Sequence, residues 1–137
     1  MPLPALAVVE SWQLAVNEHD LEQLVALTAH DVEIIGPRGG GRGHEVLRQW
    51  LSRAGFTAVP LRWFCGREGV VVVEQVGRWF QPHSMGASER IIASKFTVRA
   101  GRVTRFERFD DLEDALAAAA LTDDDEIIHR PRAGTES

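Results

Sequence analysis

The pattern of apolar residues changes period once along the chain, and that change limits what it can fold into. Up to about residue 55 the spacing is helical. "PALAVVESWQLAVNEHD" places Leu6, Val9, Trp12, Leu14 and Val16 near one face of a helix. "HDLEQLVALTAHD" offers Asp20 as an N-cap with Gln23 three residues on, so a second helix starts after a turn at Asn17–His19. "DVEII" is a short strand stopped at Gly36-Pro37. "HEVLRQWLSRAG" is a third helix, with Val46, Leu47, Trp50 and Leu51 at helical spacing and Gly55 at its stop.

Beyond that point the segments are strands. "AVPLRWFCG", "GVVVVEQVGRWF", "ERIIASKFTVRAG" and "RVTRFERFD" are rich in Val, Ile, Phe and Trp. Short links containing Gly or Pro join them, which suits antiparallel hairpins, since parallel neighbours need long crossovers. "DLEDALAAAAL" closes the body as a helix. Helices followed by a strand meander predict an α+β domain, a curved antiparallel sheet with three main helices packed on it. The domain is expected over 1–120. Residues 121–137 are read as a loose acidic tail, within which "EIIH" can add a short edge strand.

Charge and composition remove several function classes. The chain has 137 residues and a net charge of −5. The segment from Leu121 carries five acids and two bases, leaving −2 on the body. Fourteen of the fifteen basic residues are Arg, a bias of genome composition rather than a nucleic-acid footprint, and no basic field exists to attract phosphate backbones. No apolar run reaches the roughly 18–20 residues of a membrane span. The start, "MPLPALAVVE", lacks a basic segment ahead of its apolar stretch, so no secretory signal is expected and a cytoplasmic location follows. Cys65 is the single cysteine and reads as a small buried apolar residue. His19, His30, His44, His83 and His129 show no metal-ligand spacing, so no metal is expected.

The stretch "EIIGPRGGGRGHEVLRQWL" raises the question of a phosphate loop, because glycine and arginine precede a helix. The Lys and Ser/Thr of GxxxxGK[ST] are missing, and no βαβ unit supports a dinucleotide fingerprint. Arg38 and Arg42 are therefore read as solvated loop charges, with anion contact at a pocket mouth as the alternative.

Three stretches carry a family resemblance: "AVNEHDLEQLVALTAHDVEIIGPRG", "RGHEVLRQWL" and "GRVTRFERFDDLEDAL". Together, over about residues 5–120, they resemble the nuclear transport factor 2-like superfamily, and within it the SnoaL-like and ketosteroid-isomerase-like small proteins. The resemblance implies a cone whose sheet wraps an apolar pocket with a few polar side chains at its floor. It answers the phosphate question by making the glycine segment a corner at the cone's mouth. It puts Phe106, Arg108 and Asp110 inside, and makes Asp110, with Arg108 beside it, the acid/base candidate of a SnoaL-like cyclase, lyase or isomerase that needs no cofactor. The competing role for this region is capping of the last helix by Asp110 or Asp111.

The isomerase's own groups are absent. Its base position falls on Gly36, its tyrosine on Trp12 and its second aspartate on Ser94, and the chain has no tyrosine. "ERIIASKF" also lacks the Arg-x-Asp of limonene-epoxide-hydrolase-like chemistry, and scytalone-dehydratase-like chemistry needs tyrosines. The resemblance then implies a pocket protein for a hydrophobic small molecule, with the SnoaL-like enzyme using Asp110 as the alternative, and Trp12, Trp50, Trp63, Ser94 and Phe106 as candidate lining. Glu74 and Arg78 share a strand face with Val72, Val76 and Phe80 and join the lining only if that face is interior; otherwise they are surface charges. The resemblance also implies a homodimer through the open sheet face.

Overall fold

The computed structural model describes residues 4–36, 39–54, 57–80 and 87–128. In chain order these form α1 (Ala5–Asn17), α2 (Leu21–Ala26), β1 (Thr28–Gly36), β2 (Gly39–Arg42) and α3 (His44–Ala54). They continue with β3 (Thr57–Cys65), β4 (Val70–Phe80), β5 (Ala87–Arg99), β6 (Arg102–Phe109) and α4 (Leu112–Ala119). A single 3₁₀ turn, Asp123–Asp125, leads to β7 (Glu126–Ile127).

The strands make one curved seven-stranded sheet in the order β2-β1-β6-β5-β4-β3-β7. The meander β3–β6 is antiparallel, as the short links require. The sheet as a whole is mixed, because β1 pairs β6 in parallel. These two strands are far apart in sequence, so no hairpin forces their direction. The tightest link is Ala100-Gly101, both at positive φ (53° and 78°), the geometry of a two-residue hairpin whose twist matches its strands. At the neighbouring turn Gly69 (φ 79°) donates no side chain, and a Cβ there would lie 2.1 Å from the Val98 carbonyl oxygen.

The glycine segment forms a hairpin where a corner loop was expected. Glu33 pairs Arg42 and Gly36 pairs Gly39 across β1 and β2. Residues 37 and 38, with Arg38 among them, lie outside the described residues. Arg42 donates to Glu33 at 2.9 Å, and a row of alternating charge continues through Arg105 (3.7 Å from Glu33), Glu107 (3.4 Å from Arg105) and Lys95 (3.2 Å from Glu107). This row ties the parallel β1–β6 pair to the antiparallel neighbours on either side.

Asp20 caps α2 by accepting from the Gln23 amide at 3.1 Å. Its own amide goes to the Ala15 carbonyl, so the α1–α2 turn is closed from both sides. Asp111, not Asp110, caps α4, accepting from the Asp114 amide at 2.9 Å. The first part of the expected loose tail is built onto the sheet edge. β7 pairs β3 at Trp63↔Ile127 and Phe64↔Glu126, and Arg62 holds Glu126 by two guanidinium bonds of 3.0 and 2.8 Å. Residues 129–137 lie outside the described residues.

The sheet separates two apolar layers. On the inner face, Val71, Val73, Ile92, Phe96 and Phe106 pack under Val9, Trp12 and Val16 of α1. On the outer face, Phe64, Val72 and Ala93 pack under Ala115 and Leu116 of α4. Each fully buried aliphatic or aromatic side chain of this kind stabilises the fold by about 1.5–3 kcal/mol.

Candidate functional site

Helix α1 carries two neighbouring residues that organise the inner face. Trp12 sits on Phe96 and Phe106, with ring centroids 5.2 and 5.1 Å away, and Phe96 and Phe106 lie 5.2 Å apart. The Trp12 indole N–H donates to Thr28 Oγ1 at 2.9 Å, and the Thr28 hydroxyl donates to the Leu24 carbonyl. The His44 ring lies 3.0 Å from the Thr28 carbonyl oxygen, tying the start of α3 to the same point. This aromatic end is a wall closed by protein–protein bonds, and the indole N–H of the candidate lining residue Trp12 is bonded to Thr28.

Gln13, one residue on, opens a polar row. Its amide nitrogen donates to Gln75 Oε1, and Gln75 Nε2 donates to Ser94 Oγ at 3.1 Å. Gln13 is 5% exposed, Gln75 1% and Ser94 0%. Helical spacing from Val9 puts Gln13 on the buried side of α1, and strand alternation puts Gln75 on the face of Val71 and Val73. Ser94 pairs Arg108 across β5 and β6, so the partly buried Arg108 continues the row on the same face. Buried amides and hydroxyls inside an apolar layer are retained only when hydrogen-bonded, and here they bond mainly to one another.

The sequence candidates divide between three places. Trp12, Ser94, Phe106 and Trp63 are buried on the inner side, Trp63 at 3% exposure, with Arg108 alongside. Asp110 lies past the end of β6, 57% exposed, where Arg90 meets it at 3.1 Å. It is exposed rather than enclosed. Glu74 and Arg78 belong to the outer face, opposite α1. Glu74 approaches Arg62 at 3.9 Å, and Arg78 binds Glu89 at 2.6 Å. The interior face of β4 is the one carrying Gln75. Trp50 lies in α3, but its side chain is outside the described residues, as is His83.

Sequence reasoning missed Gln13, Gln75 and Arg90. A signal existed for the first two: each is an uncharged polar residue within an apolar run, at a position whose periodic neighbours are buried. Burial pushes the Cys65 thiol above its ordinary pKa, which removes it further from the thiolate form a nucleophile needs. Among the described residues, no group of His, Cys, Asp and Glu is arranged to hold a metal ion, and no helix is long and apolar enough to cross a membrane.

No family model matches the sequence, and no curated protein does. Solved structures match the fold. An NTF2-like protein of unknown function from Cytophaga hutchinsonii superposes with a TM-score of 0.71 at 13% identity, over 83% of this chain and 96% of its own. TerC, co-crystallized with polyporic acid, gives 0.69 at 19% identity over 87% and 98% of the two chains. RV0760c from Mycobacterium tuberculosis, in complex with estradiol-17beta-hemisuccinate, gives 0.69 at 24% identity over 80% and 95%. Helices before a meander, the sheet order and these superpositions agree, and the chain has the fold of the nuclear transport factor 2-like superfamily.

Proposed function

We propose that this chain binds a hydrophobic small molecule on the inner side of the sheet, beside the contact that α1 makes with it. The observation that carries the reading is the composition of that face: an aromatic wall of Trp12, Phe96 and Phe106 beside a buried polar row of Gln13, Gln75 and Ser94, with Arg108 next to it. Apolar surface with a few convergent polar groups is the usual make-up of small-molecule sites. Two solved proteins of this fold, at 19% and 24% identity, hold small organic molecules. Binding is favoured over acid/base catalysis because Asp110, the acid/base candidate, is exposed and ion-paired to Arg90. The test is a titration with estradiol-17beta-hemisuccinate and with polyporic acid, followed by tryptophan emission. Saturable change that is weakened by Phe106→Ala supports the reading, and flat titrations with both compounds count against it.

A homodimer through the outer sheet face is part of the same proposal. Helix α4 covers Phe64, Val72 and Ala93, so less of that face is open than the sequence implied. Among the described residues, an apolar cross-strand stripe in register stays uncovered, Val59↔Val76↔Ile91, with Val59 61% and Ile91 58% exposed. A second copy of this chain is the occupant this stripe fits, since apolar cross-strand rows on one sheet match the same row related by a two-fold axis.

A further inference from the structure

The polar row has a direction, and the direction implies a ligand chemistry. Gln75 is fixed at both ends. Its Nε2 donates to Ser94 Oγ, so its oxygen faces Gln13. Gln13 must offer Nε2 to that oxygen, which turns its own Oε1 away from the relay. Gln13 Oε1 is buried, and no donor reaches it among the described residues. Gln13 itself is 95% removed from solvent, at 5% exposure, so this acceptor is not facing bulk water.

We propose that Gln13 Oε1 is the specificity-determining acceptor of the site, selecting hydrophobic ligands that carry a hydroxyl or N–H group over their ether or ketone counterparts. The proposal rests on the ligand-binding reading above. A buried amide oxygen without a donor is destabilised by its lost hydration, and a donor on the ligand recovers that loss. An ether or carbonyl oxygen brought to the same point sets acceptor against acceptor. The relay holds this polarity from behind. Reversing it would require Ser94 to donate to Gln75, and both amides to turn over together. Such a reversed relay would present Gln13 Nε2 and select acceptors, so the sign of the preference reports the polarity.

The matched probes are 2-naphthol and its methyl ether, 2-methoxynaphthalene, titrated calorimetrically into the full chain. The naphthol is expected to bind more tightly by about 5- to 30-fold, the effect of one hydrogen bond to a buried acceptor. In Gln13→Leu the preference should fall to within about twofold while affinity for the ether is kept. Gln75→Leu leaves Gln13 in place but releases its orientation, and should also shrink the preference; circular dichroism confirms that each variant is folded. Equal binding of both probes, tighter binding of the ether, or a preference that survives in folded Gln13→Leu overturns the proposal while leaving the binding site standing. Failure of both probes and of both ligands named above to bind removes the ligand-binding reading and this inference with it.

Discussion

Arg90 Nη2 lies 3.1 Å from Asp110 Oδ1, with the two side chains 54% and 57% exposed. An exposed pair of this kind contributes about 0–1 kcal/mol. Asp110→Asn is therefore expected to leave thermal stability nearly unchanged and ligand affinity within about twofold of the parent. Melting curves and tryptophan titrations check both. A large loss of affinity or of turnover on any identified substrate would restore Asp110 to the site.

Trp12→Phe removes the indole N–H that Thr28 Oγ1 accepts and leaves space beside Phe96 and Phe106. The two effects together should cost about 2–3 kcal/mol in chemical denaturation. A near-neutral variant would mean that the aromatic wall is less tightly packed than these contacts imply.

Gln13 and Gln75 should be coupled. Either single change to Leu strands the other amide in the apolar layer, whereas the double change removes both polar groups. Each single variant is expected to lose about 1–3 kcal/mol and the double variant much less than their sum, a non-additivity that a double-mutant cycle measures directly. Additive losses would contradict the relay.

The β7 strap should respond to acid. The Arg62 guanidinium bonds hold the Glu126 carboxyl below its ordinary pKa. A carboxylate depressed in the folded state adds stability above its unfolded pKa, and that stability is lost as pH falls through the folded value. The Ile127 amide resonance should therefore shift as pH falls below the ordinary carboxylate range, and Glu126→Gln should show the acid-type shift already at neutral pH. An Ile127 signal indifferent to both would show that β3–β7 pairing holds the strap without this contact.

Ile91→Glu places a charge in the Val59–Val76–Ile91 stripe without touching the inner face. The proposed dimer should become a monomer by light scattering while probe binding persists. A parent chain that is monomeric at tens of micromolar would remove the dimer.

Much of this architecture was legible in the period change near residue 55, in Asp20, and in the glycine-bearing links of the meander. These are local signals, and the hydrogen bonds that satisfy them are local too. The parallel β1–β6 pair was not legible, because Glu33 and Arg105 meet across most of the chain. The interior face of β4 was ambiguous, since "VVVVEQV" presents valines at both parities and leaves Glu74 and Gln75 equally placed by alternation alone. Alternation groups Arg108 with Asp110 but says nothing of depth, and the strand ends at Phe109, leaving Asp110 exposed beyond it. The glycines of residues 39–41 resembled a loop by composition, yet their backbone pairs with β1 without need of side chains.

The most direct measurement is a side-chain amide NMR titration of the ¹⁵N-labelled chain with 2-naphthol. Saturable shifts are expected of the Gln13 and Gln75 NH₂ resonances together with the Trp12 indole, and none at the Val59, Val76 or Ile91 amides of the outer face. Shifts confined to the outer face, or inner-face resonances that stay still while naphthol binds, would contradict binding at the inner face.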